Sequence, residues 1–358
     1  MNIFKNFFKD FEHVIFESVE EREAKKIRMK RLFSRVFLAL FVYVILSQFL
    51  ATVIYTVAAF VLSAEEYNAF CNSSYITIIV SSVCQYLIAF PVFVLMLLKT
   101  DKAQPREKSK ICAKDFFLIM MIGETLLFAG NLVGTLLNNV FGAVIGKIPE
   151  NNVANIIAEI PIYLIFIAVV VLGPIVEELI FRKLMIDRLS LYGDRMAILF
   201  SAVAFGLFHV NLYQFFYATL LGILLGYVYT KTGNVKYTIL MHMIINLFGS
   251  VVVLYVQEAS VEMERLMALM ESGMPFDLLA LSASALIVML YTYLQYGMVV
   301  GGVITLRHFI NTKQIQISGE KEIYLPNSTI VREGVKNVGS ILFIVTSILL
   351  IIVNLFAS

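Results

Sequence analysis

Long, predominantly apolar stretches constrain this chain more than any other feature of its sequence. Four of them run from Val36 to Leu62, Tyr75 to Leu98, Phe116 to Phe141 and Leu278 to Leu306. A helix needs about 20 apolar residues to cross the ~30 Å hydrocarbon core of a bilayer. Only 15% of the 358 residues are charged, whereas soluble domains carry about 25%. The sequence therefore predicts an all-α, polytopic transmembrane helix bundle.

Eight to nine membrane spans are expected, with boundaries accurate to a few residues. The fourth candidate span is too long for a single crossing, so part of it is expected to project into water. The nine candidates are residues 36–62, 75–98, 116–141, 157–189, 195–211, 214–230, 237–256, 278–306 and 339–356.

The connections between these spans alternate in charge. Basic segments lie at residues 25–35, 99–114, 188–195, 231–236 and 307–338, and acidic segments lie at 63–74 and 258–271. Lys and Arg concentrate in short cytoplasmic loops. The alternation therefore predicts a cytoplasmic N-terminus and a C-terminus on the outer side.

The remaining global features exclude some classes of function. The predicted depths of the three cysteines, Cys71 outside, Cys84 in a span and Cys112 inside, offer no disulfide and no metal cluster. A net charge of +2 gives no sign of nucleic-acid binding. Apolar residues recur at helical spacing over residues 3–15, with no cleavage site after them. This pattern predicts an amphipathic helix on the inner membrane surface, or equally one packed on the protein's own cytosolic face.

The stretch GPIVEELIFRKLM, residues 173–185, places three ionisable side chains at membrane depth. Each costs about 2.5–3.5 kcal/mol to insert. Glu178 and Arg182 stand four residues apart with the acid first, which favours an ion pair on one helical face. Glu177 lies about 100° around the helix, so the same arginine cannot easily serve both carboxylates. Glu177 is therefore a candidate general base.

Two histidines and an asparagine add to this set. His209 ends one apolar run, and His242 precedes Asn246 by one helical turn on the same face. A lone histidine in a core is more often structural than catalytic. Two histidines, an unpaired glutamate and an asparagine in consecutive spans favour a shared site.

Helix geometry supports this grouping in part. Measured from the turn at residues 191–194, Glu177 and His209 both lie about 20 Å along their helices, so an antiparallel pair would bring them level. His242 lies only about 9 Å beyond Lys236. We expect either a tilted helix or a protruding turn to take up the difference.

Together these residues resemble the motifs of a known family. EELIFR at 177–182, FGLFH at 205–209 and HMIIN at 242–246 occur in order across consecutive helices. This arrangement resembles the CAAX protease and bacteriocin-processing family of intramembrane proteases, also called the Abi family and related to the CAAX prenyl endopeptidases. No motif position departs from the family pattern. The resemblance covers about residues 157–256.

The resemblance implies hydrolysis of a peptide bond within the membrane. Glu177 would activate a water molecule with help from His209, and His242 and Asn246 would stabilise the oxyanion. Arg182 would hold Glu178 and the helix end in place. Glu177, His209 and His242 would also suffice as ligands for a catalytic zinc ion. A metal-free reaction driven by the glutamate is the alternative, and the sequence leaves both open.

The resemblance also places a protease core within the chain and suggests partners. The protease core would carry all six site residues, and its substrate would be a CAAX-like prenylated protein or a membrane-associated peptide such as a bacteriocin precursor. The expected location is a bacterial plasma membrane. A non-catalytic scaffold or immunity protein, and a proton-coupled transporter, are the alternative functions. The predicted parts are an interfacial segment at 1–35, three accessory helices at 36–141, the four-helix core at 157–256, and two C-terminal helices with a cytosolic loop at 278–358.

Overall fold

The computed structural model describes residues 18–146, 160–275, 277–317 and 319–357. The amphipathic stretch predicted over residues 3–15 lies outside the described residues. Within them the regular structure is entirely helical, which confirms the predicted fold class. The helices are α1 (Val19–Val61), α2 (Ala64–Cys71), α3 (Ser74–Leu97), α4 (Ala113–Ile145), α5 (Ile162–Tyr192), α6 (Asp194–Phe208), α7 (Leu212–Thr232), α8 (Val235–Glu271), α9 (Leu278–Asn311), α10 (Asn327–Val335) and α11 (Val338–Ala357).

Eight of these helices are long and apolar enough to cross a membrane, so this is a multi-pass membrane protein. They are α1, α3, α4, α5, α7, α8, α9 and α11. The ninth candidate span, residues 195–211, forms only the 15-residue helix α6. At 1.5 Å per residue it is about 22 Å long, which falls short of a ~30 Å core. The helix ends there because Val210 adopts a left-handed φ of 46°.

Polar residues set the ends of the core helices. Asn211 caps α7 by accepting a hydrogen bond from the backbone of Tyr213, and Asn234 caps α8 in the same way. Such side chains satisfy backbone N–H groups that a helix start leaves without partners. Between the two helices, Gly233 ends α7 with a φ of 61°, a conformation that glycine adopts without strain. The α7–α8 turn is therefore short and defined by local sequence.

The predicted core helices α5 to α8 pack together, with the remaining long helices around them. α1 contacts α3 and α11, and its aromatic rings pack on those of α6. α4 packs on α7 and α9, and α9 also contacts α8. The α6–α7 hairpin is tight because small residues face each other: a side chain on Gly222 would meet the backbone of Ala202 at 2.9 Å. Close backbone approach through small residues is typical of helix pairs in membranes.

The α5–α6 pair is antiparallel, as the helix geometry predicts. Ser201 in α6 donates to the carbonyl of Phe181 in α5 at 2.9 Å, and the rings of Phe181 and Phe205 lie 5.1 Å apart. Near the end of α7, the hydroxyl of Tyr229 donates to Asp187 at 2.6 Å. The turn between α5 and α6 therefore extends a little beyond the end of α7, and this accounts for part of the difference in depth at His242.

The basic connections gather at one end of the bundle, which we call the basic end. Arg28 pairs with Asp101, the hydroxyl of Ser109 donates to the carbonyl of Lys231, and the backbone of Ile323 donates to that of Leu191. These contacts join residues 25–35, 99–114, 188–195, 231–236 and 307–338. The charge alternation thus corresponds to the two ends of the fold, and which end faces the cytoplasm stays a prediction.

Arg106 fastens the loop after α3 to the turn between α5 and α6. Its guanidinium donates to both carboxylate oxygens of Asp194, at 3.0 and 2.7 Å, and to the hydroxyl of Ser190 at 2.6 Å. Burial opposes the charged form of Arg106. The hydrogen bonds to Asp194 and the charges of Asp194 and Asp187 outweigh it, so the pKa of Arg106 lies above its ordinary value. Two loops distant in sequence are therefore held as one unit at the basic end.

Candidate functional site

α5 carries its two glutamates between two stretches of widened helix. Hydrogen bonding shifts to the wider π pattern over Phe166–Leu172 and again over Leu179–Ile186, and the regular turn Gly173–Glu178 lies between them. Pro174 stands in the first turn of that segment, where a missing N–H is tolerated. Widened turns of this kind occur frequently at functional sites. The glutamates therefore sit at a local irregularity of an otherwise continuous helix.

Glu178 and Arg182 form the buried ion pair that their spacing predicts. Arg182 Nη2 donates to Glu178 Oε1 at 3.1 Å, Nε lies 2.9 Å from Oε2, and both side chains are fully buried. The guanidinium also stacks on Phe205, with its Cζ 4.8 Å from the ring centroid. Removing either partner would leave a buried charge uncompensated at a cost of about 3–5 kcal/mol. The ion pair therefore fixes this turn of α5.

The imidazole of His242 joins the ion pair from α8. Its Nδ1 lies 3.1 Å from Glu178 Oε1, and the ring is nearly fully buried. Because a carboxylate only accepts hydrogen bonds, Nδ1 carries the proton in this contact. In a neutral ring Nε2 then has a free lone pair, and it donates only in the imidazolium form. Nε2 faces Glu177 Oε2 at 3.8 Å.

Glu177 stays outside the ion pair, as the sequence predicts. Its side chain is 20% exposed, and within the described part of the chain it forms no hydrogen bond. The 3.8 Å separation from His242 Nε2 is too long for a direct hydrogen bond. Glu177 therefore presents a free carboxylate oxygen next to a ring nitrogen whose orientation Glu178 determines.

His209 lies just beyond the end of α6. Its Nδ1 donates to the carbonyl of Phe205 at 2.8 Å, which leaves Nε2 free. The ring of Phe205 packs edge-on against both histidines, with centroids 4.9 Å from His209 and 5.8 Å from His242. Among the described residues His209 makes no hydrogen bond or ion pair with Glu177. His209 is therefore positioned next to the site by its contacts with Phe205 and not by a hydrogen bond to a carboxylate.

Asn246 lies one turn beyond His242 on α8. Its Nδ2 donates to the carbonyl of Val169 in the first widened stretch of α5, at 2.9 Å. A side-chain amide has two N–H groups, so one remains for another acceptor. Asn246 therefore connects α8 to α5 and keeps one N–H for a ligand.

Three tyrosines near Glu177 were missed by the sequence analysis of the site. The charge of its carboxylate acts on the hydroxyls of Tyr43, Tyr86 and Tyr217, which come from α1, α3 and α7. The hydroxyl of Tyr86 also donates to the carbonyl of Ala168 in α5 at 3.4 Å. No local spacing links these residues to the motifs, so one sequence carries no signal for them.

Gly173 keeps the space between Tyr86 and Glu177 open. A β-carbon at this position would lie 3.3 Å from the Tyr86 hydroxyl and 3.9 Å from Glu177 Oε1. The first distance is tighter than an ordinary van der Waals contact. Because Gly173 has no side chain, the Tyr86 hydroxyl of α3 and the Glu177 carboxylate can both lie next to it.

The zinc hypothesis fits the chemistry of the donors but not their arrangement. Both histidines hold Nδ1–H on an acceptor and leave Nε2 free, as zinc-binding histidines do. Nevertheless, across the described ranges no group of three or more His, Cys, Asp or Glu side chains could hold a metal ion. Glu177 and His242 face each other, whereas His209 forms no hydrogen bond or ion pair with either of these two residues. Zinc binding and a metal-free reaction therefore both stay predictions, and the arrangement favours the metal-free reaction.

The chain is similar to known proteins over the region that contains this site. Residues 159–248 match the family described as "Type II CAAX prenyl endopeptidase Rce1-like". A curated protein of Bacillus subtilis (strain 168), "Putative membrane peptidase YdiL", is 30% identical over 192 residues, which cover 49% of this chain and 75% of that protein. No solved structure matches the chain.

The fold and site define a multi-pass membrane protein with a carboxylate–imidazole cluster built from α5 and α8, next to a second histidine that follows α6. The chain belongs to the Rce1-like CAAX prenyl endopeptidase family of membrane peptidases. The matched region contains all six predicted site residues, and the helices before and after it lie outside the family match.

Proposed function

We propose that this protein hydrolyses a peptide bond within the membrane, with Glu177 as the general base. One observation carries the proposal: Arg182 pairs with Glu178, and Glu178 in turn holds His242, so Glu177 is left free beside His242 Nε2. A structural ion pair alone would need only one of the two glutamates. Inserting a second carboxylate into the membrane without a cationic partner costs free energy. Ionisable residues at such positions usually mark functional sites.

A water molecule between Glu177 Oε2 and His242 Nε2 could hydrogen bond to both atoms across their 3.8 Å separation. Glu177 would take a proton from this water as its oxygen attacks the scissile carbonyl carbon. The same proton would pass from Glu177 to the leaving nitrogen as the C–N bond breaks. One carboxylate thus acts first as base and then as acid, and the overall reaction consumes one water.

The oxyanion would be stabilised by Asn246 and His242. Asn246 has one N–H left after donating to Val169, and His242 can donate from Nε2 as an imidazolium. Donors already positioned for the developing charge commonly contribute a factor of about 10²–10³ in rate each. Glu178 and Arg182 act indirectly, because they position His242 and this turn of α5 and do not contact the substrate.

His209 keeps the role of an assisting imidazole in this proposal. Its free Nε2 and its ordered contact with Phe205 support that role, since an assisting ring must be held in one orientation. The substrate class is proposed from the family: a CAAX-like prenylated protein or another membrane-associated peptide. The scaffold and transporter alternatives predict that no peptide bond is cut.

The test replaces Glu177 by Gln, which keeps the shape of the side chain and removes its basicity. Newly formed peptide termini in membranes of cells expressing wild type are compared by mass spectrometry with those from E177Q. Glu124→Gln in α4 is the matched control, because it removes a carboxylate from a different span. We expect wild type and E124Q to produce the same new termini, and E177Q to reduce them by about 10³-fold or more. Equal termini in all three would contradict the proposal.

Metal content is a separate prediction. We expect purified wild-type protein to hold well below one equivalent of zinc, because the three predicted ligands do not form a common site. Elemental analysis of wild type and a His209→Ala, His242→Ala double variant checks this. Stoichiometric zinc in wild type that is lost in the double variant would make His209 and His242 ligands and require a metal-assisted mechanism.

A further inference from the structure

A cavity of about 580 Å³ opens at the basic end, between the first part of α1, the end of α3 and the start of α11. Its lining includes three cationic side chains, Lys30, Arg31 and Arg35, and no carboxylate. Apolar groups such as Leu38 and Met96 line it as well. A positively charged recess with an apolar wall therefore lies where the first span begins.

Helical spacing directs these side chains into one recess. Arg31 and Arg35 stand one turn apart on α1, with Leu38 about one turn further on the same face. α11 closes one side because Gly339 lies against α1, where its backbone N–H donates to the hydroxyl of Ser34 at 3.1 Å. Helix packing thus shapes the recess, and its form does not depend on flexible surface side chains alone.

The positive charges in the recess are poorly neutralised by the protein. Arg35 uses its Nε to donate to the carbonyl of Met96 at 2.8 Å, which leaves its terminal nitrogens free. Within the described ranges Arg31 makes no hydrogen bond or ion pair, and it is exposed. Lys30 lies 3.7 Å from Glu333, which is already bound to Arg332 at 3.0 Å. Two guanidinium groups are therefore available to one external anion.

We propose that this recess binds the phosphate headgroup of an anionic phospholipid. Guanidinium groups match phosphate oxygens in charge and geometry, and basic pockets between membrane helices recognise anionic headgroups. The apolar wall beside the charges suits the glycerol and first acyl carbons of the same lipid. The recess lies on α1, α3 and α11, outside residues 159–248, so the proposal does not rest on the peptidase reaction.

Basic residues at a membrane interface also attract anionic lipids without any site. The experiment must therefore separate the recess from general surface charge. Lys108 and Lys110 provide the comparison: they are exposed and lie in a basic connection at the same end of the bundle. Arg31→Gln with Arg35→Gln and Lys108→Gln with Lys110→Gln each remove two positive charges.

Lipid binding is measured by native mass spectrometry of the full-length protein with phosphatidylglycerol, with phosphatidylcholine and with inorganic phosphate alone. We expect wild type and the lysine variant to bind one phosphatidylglycerol alike. One basic residue near a membrane surface contributes about 1 kcal/mol, which is about fivefold in affinity. The arginine double variant, which lacks two, should therefore bind phosphatidylglycerol roughly thirtyfold more weakly. Arg31→Gln alone, which removes no internal contact, should weaken binding about fivefold. Thermal unfolding in phosphatidylcholine nanodiscs establishes that each variant is folded.

Four results would overturn the proposal. Equal weakening by both double variants would show a general charge effect, and equal binding of phosphatidylcholine would show an apolar lipid contact. Inorganic phosphate binding as strongly as the lipid would make the recess a free-phosphate site. Unchanged phosphatidylglycerol binding in the Arg31→Gln variant would also contradict the assignment.

Discussion

At the scale of single residues, the two neighbouring glutamates have different surroundings although one peptide bond separates them. Glu178 is fully buried against Arg182 and His242, whereas Glu177 is partly exposed and faces the lone pair or proton of His242 Nε2. Helix geometry explains this division because adjacent residues point about 100° apart. One carboxylate can thus be structural and the other chemically available.

His242 gives the residue-scale prediction. If Nε2 donates to an oxyanion, His242→Gln can supply an amide N–H in its place, whereas His242→Ala cannot. We expect His242→Ala to lower kcat by about 10²–10³-fold and His242→Gln to retain at least about tenfold more activity than alanine. Cleavage kinetics on one substrate check this, with His308→Gln at the far end of α9 as the control. An equal loss of kcat in both His242 variants would show that Nε2 acts through its lone pair and not as a donor.

Part of this site was predictable from the sequence. The Glu178–Arg182 pair follows from their spacing of four, and the exclusion of Glu177 follows from the same helix. The contact between His242 and Glu178 spans 64 residues and depends on how α8 packs on α5. The tyrosines around Glu177 depend on three further helices. The spacing of residues along the chain does not depend on tertiary contacts of this kind, so a single sequence cannot predict them.

At the scale of elements, the break after α6 places His209. Val210 has a φ of 46°, and for a β-branched residue this conformation is strained by about 1–3 kcal/mol. Asn354 of α11 donates to its carbonyl at 2.8 Å and helps to hold it there. The sequence predicted a longer span at 195–211 because no glycine or proline marks this break. The strain is a property of the folded chain.

Val210→Gly should relieve this strain and impair the site. Glycine also removes the isopropyl group, which packs against the core, so the strain is read against Val210→Ala, which keeps a β-carbon at the same φ. We expect Val210→Gly to be about 1 kcal/mol more stable than Val210→Ala. Activity should fall because His209 is held less firmly. Thermal unfolding in detergent and cleavage rates measure both effects. Val203→Gly, in the regular part of α6, is the control and should destabilise by about 1 kcal/mol. A Val210→Gly variant no more stable than Val210→Ala would show that the backbone at position 210 is not strained.

At the scale of the whole molecule, charge alternation predicted which connections lie together. Loops as distant in sequence as 99–114 and 307–338 meet at the basic end. The sequence predicted this grouping because Lys and Arg concentrate in the loops on one side of the membrane. It could not establish the order in which helices pack around the core, since lipid-facing and protein-facing apolar residues are chemically alike.

Native cysteines allow the orientation to be measured. Cys112 is exposed at the basic end, and Cys71 lies at the opposite end of the bundle. In intact cells a membrane-impermeant maleimide should label Cys71 and leave Cys112 unmodified, because the basic end is expected to face the cytoplasm. Inverted vesicles should give the opposite result, and buried Cys84 should stay unlabelled in both. Labelling of Cys112 in intact cells would reverse the predicted topology.

The two halves of α5 are held very differently. The half towards the basic end is fastened by Arg188 to α3 and by the backbone contact of Asp187 with Ala103. The half before Gly173 receives single hydrogen bonds from Tyr86 and Asn246. In the proposed reaction, Asn246 also gives its second N–H to the oxyanion while the first stays on Val169. One amide would then join the less firmly held half of α5 to the reacting carbonyl of the substrate, so any loosening of that half would displace a catalytic donor as well.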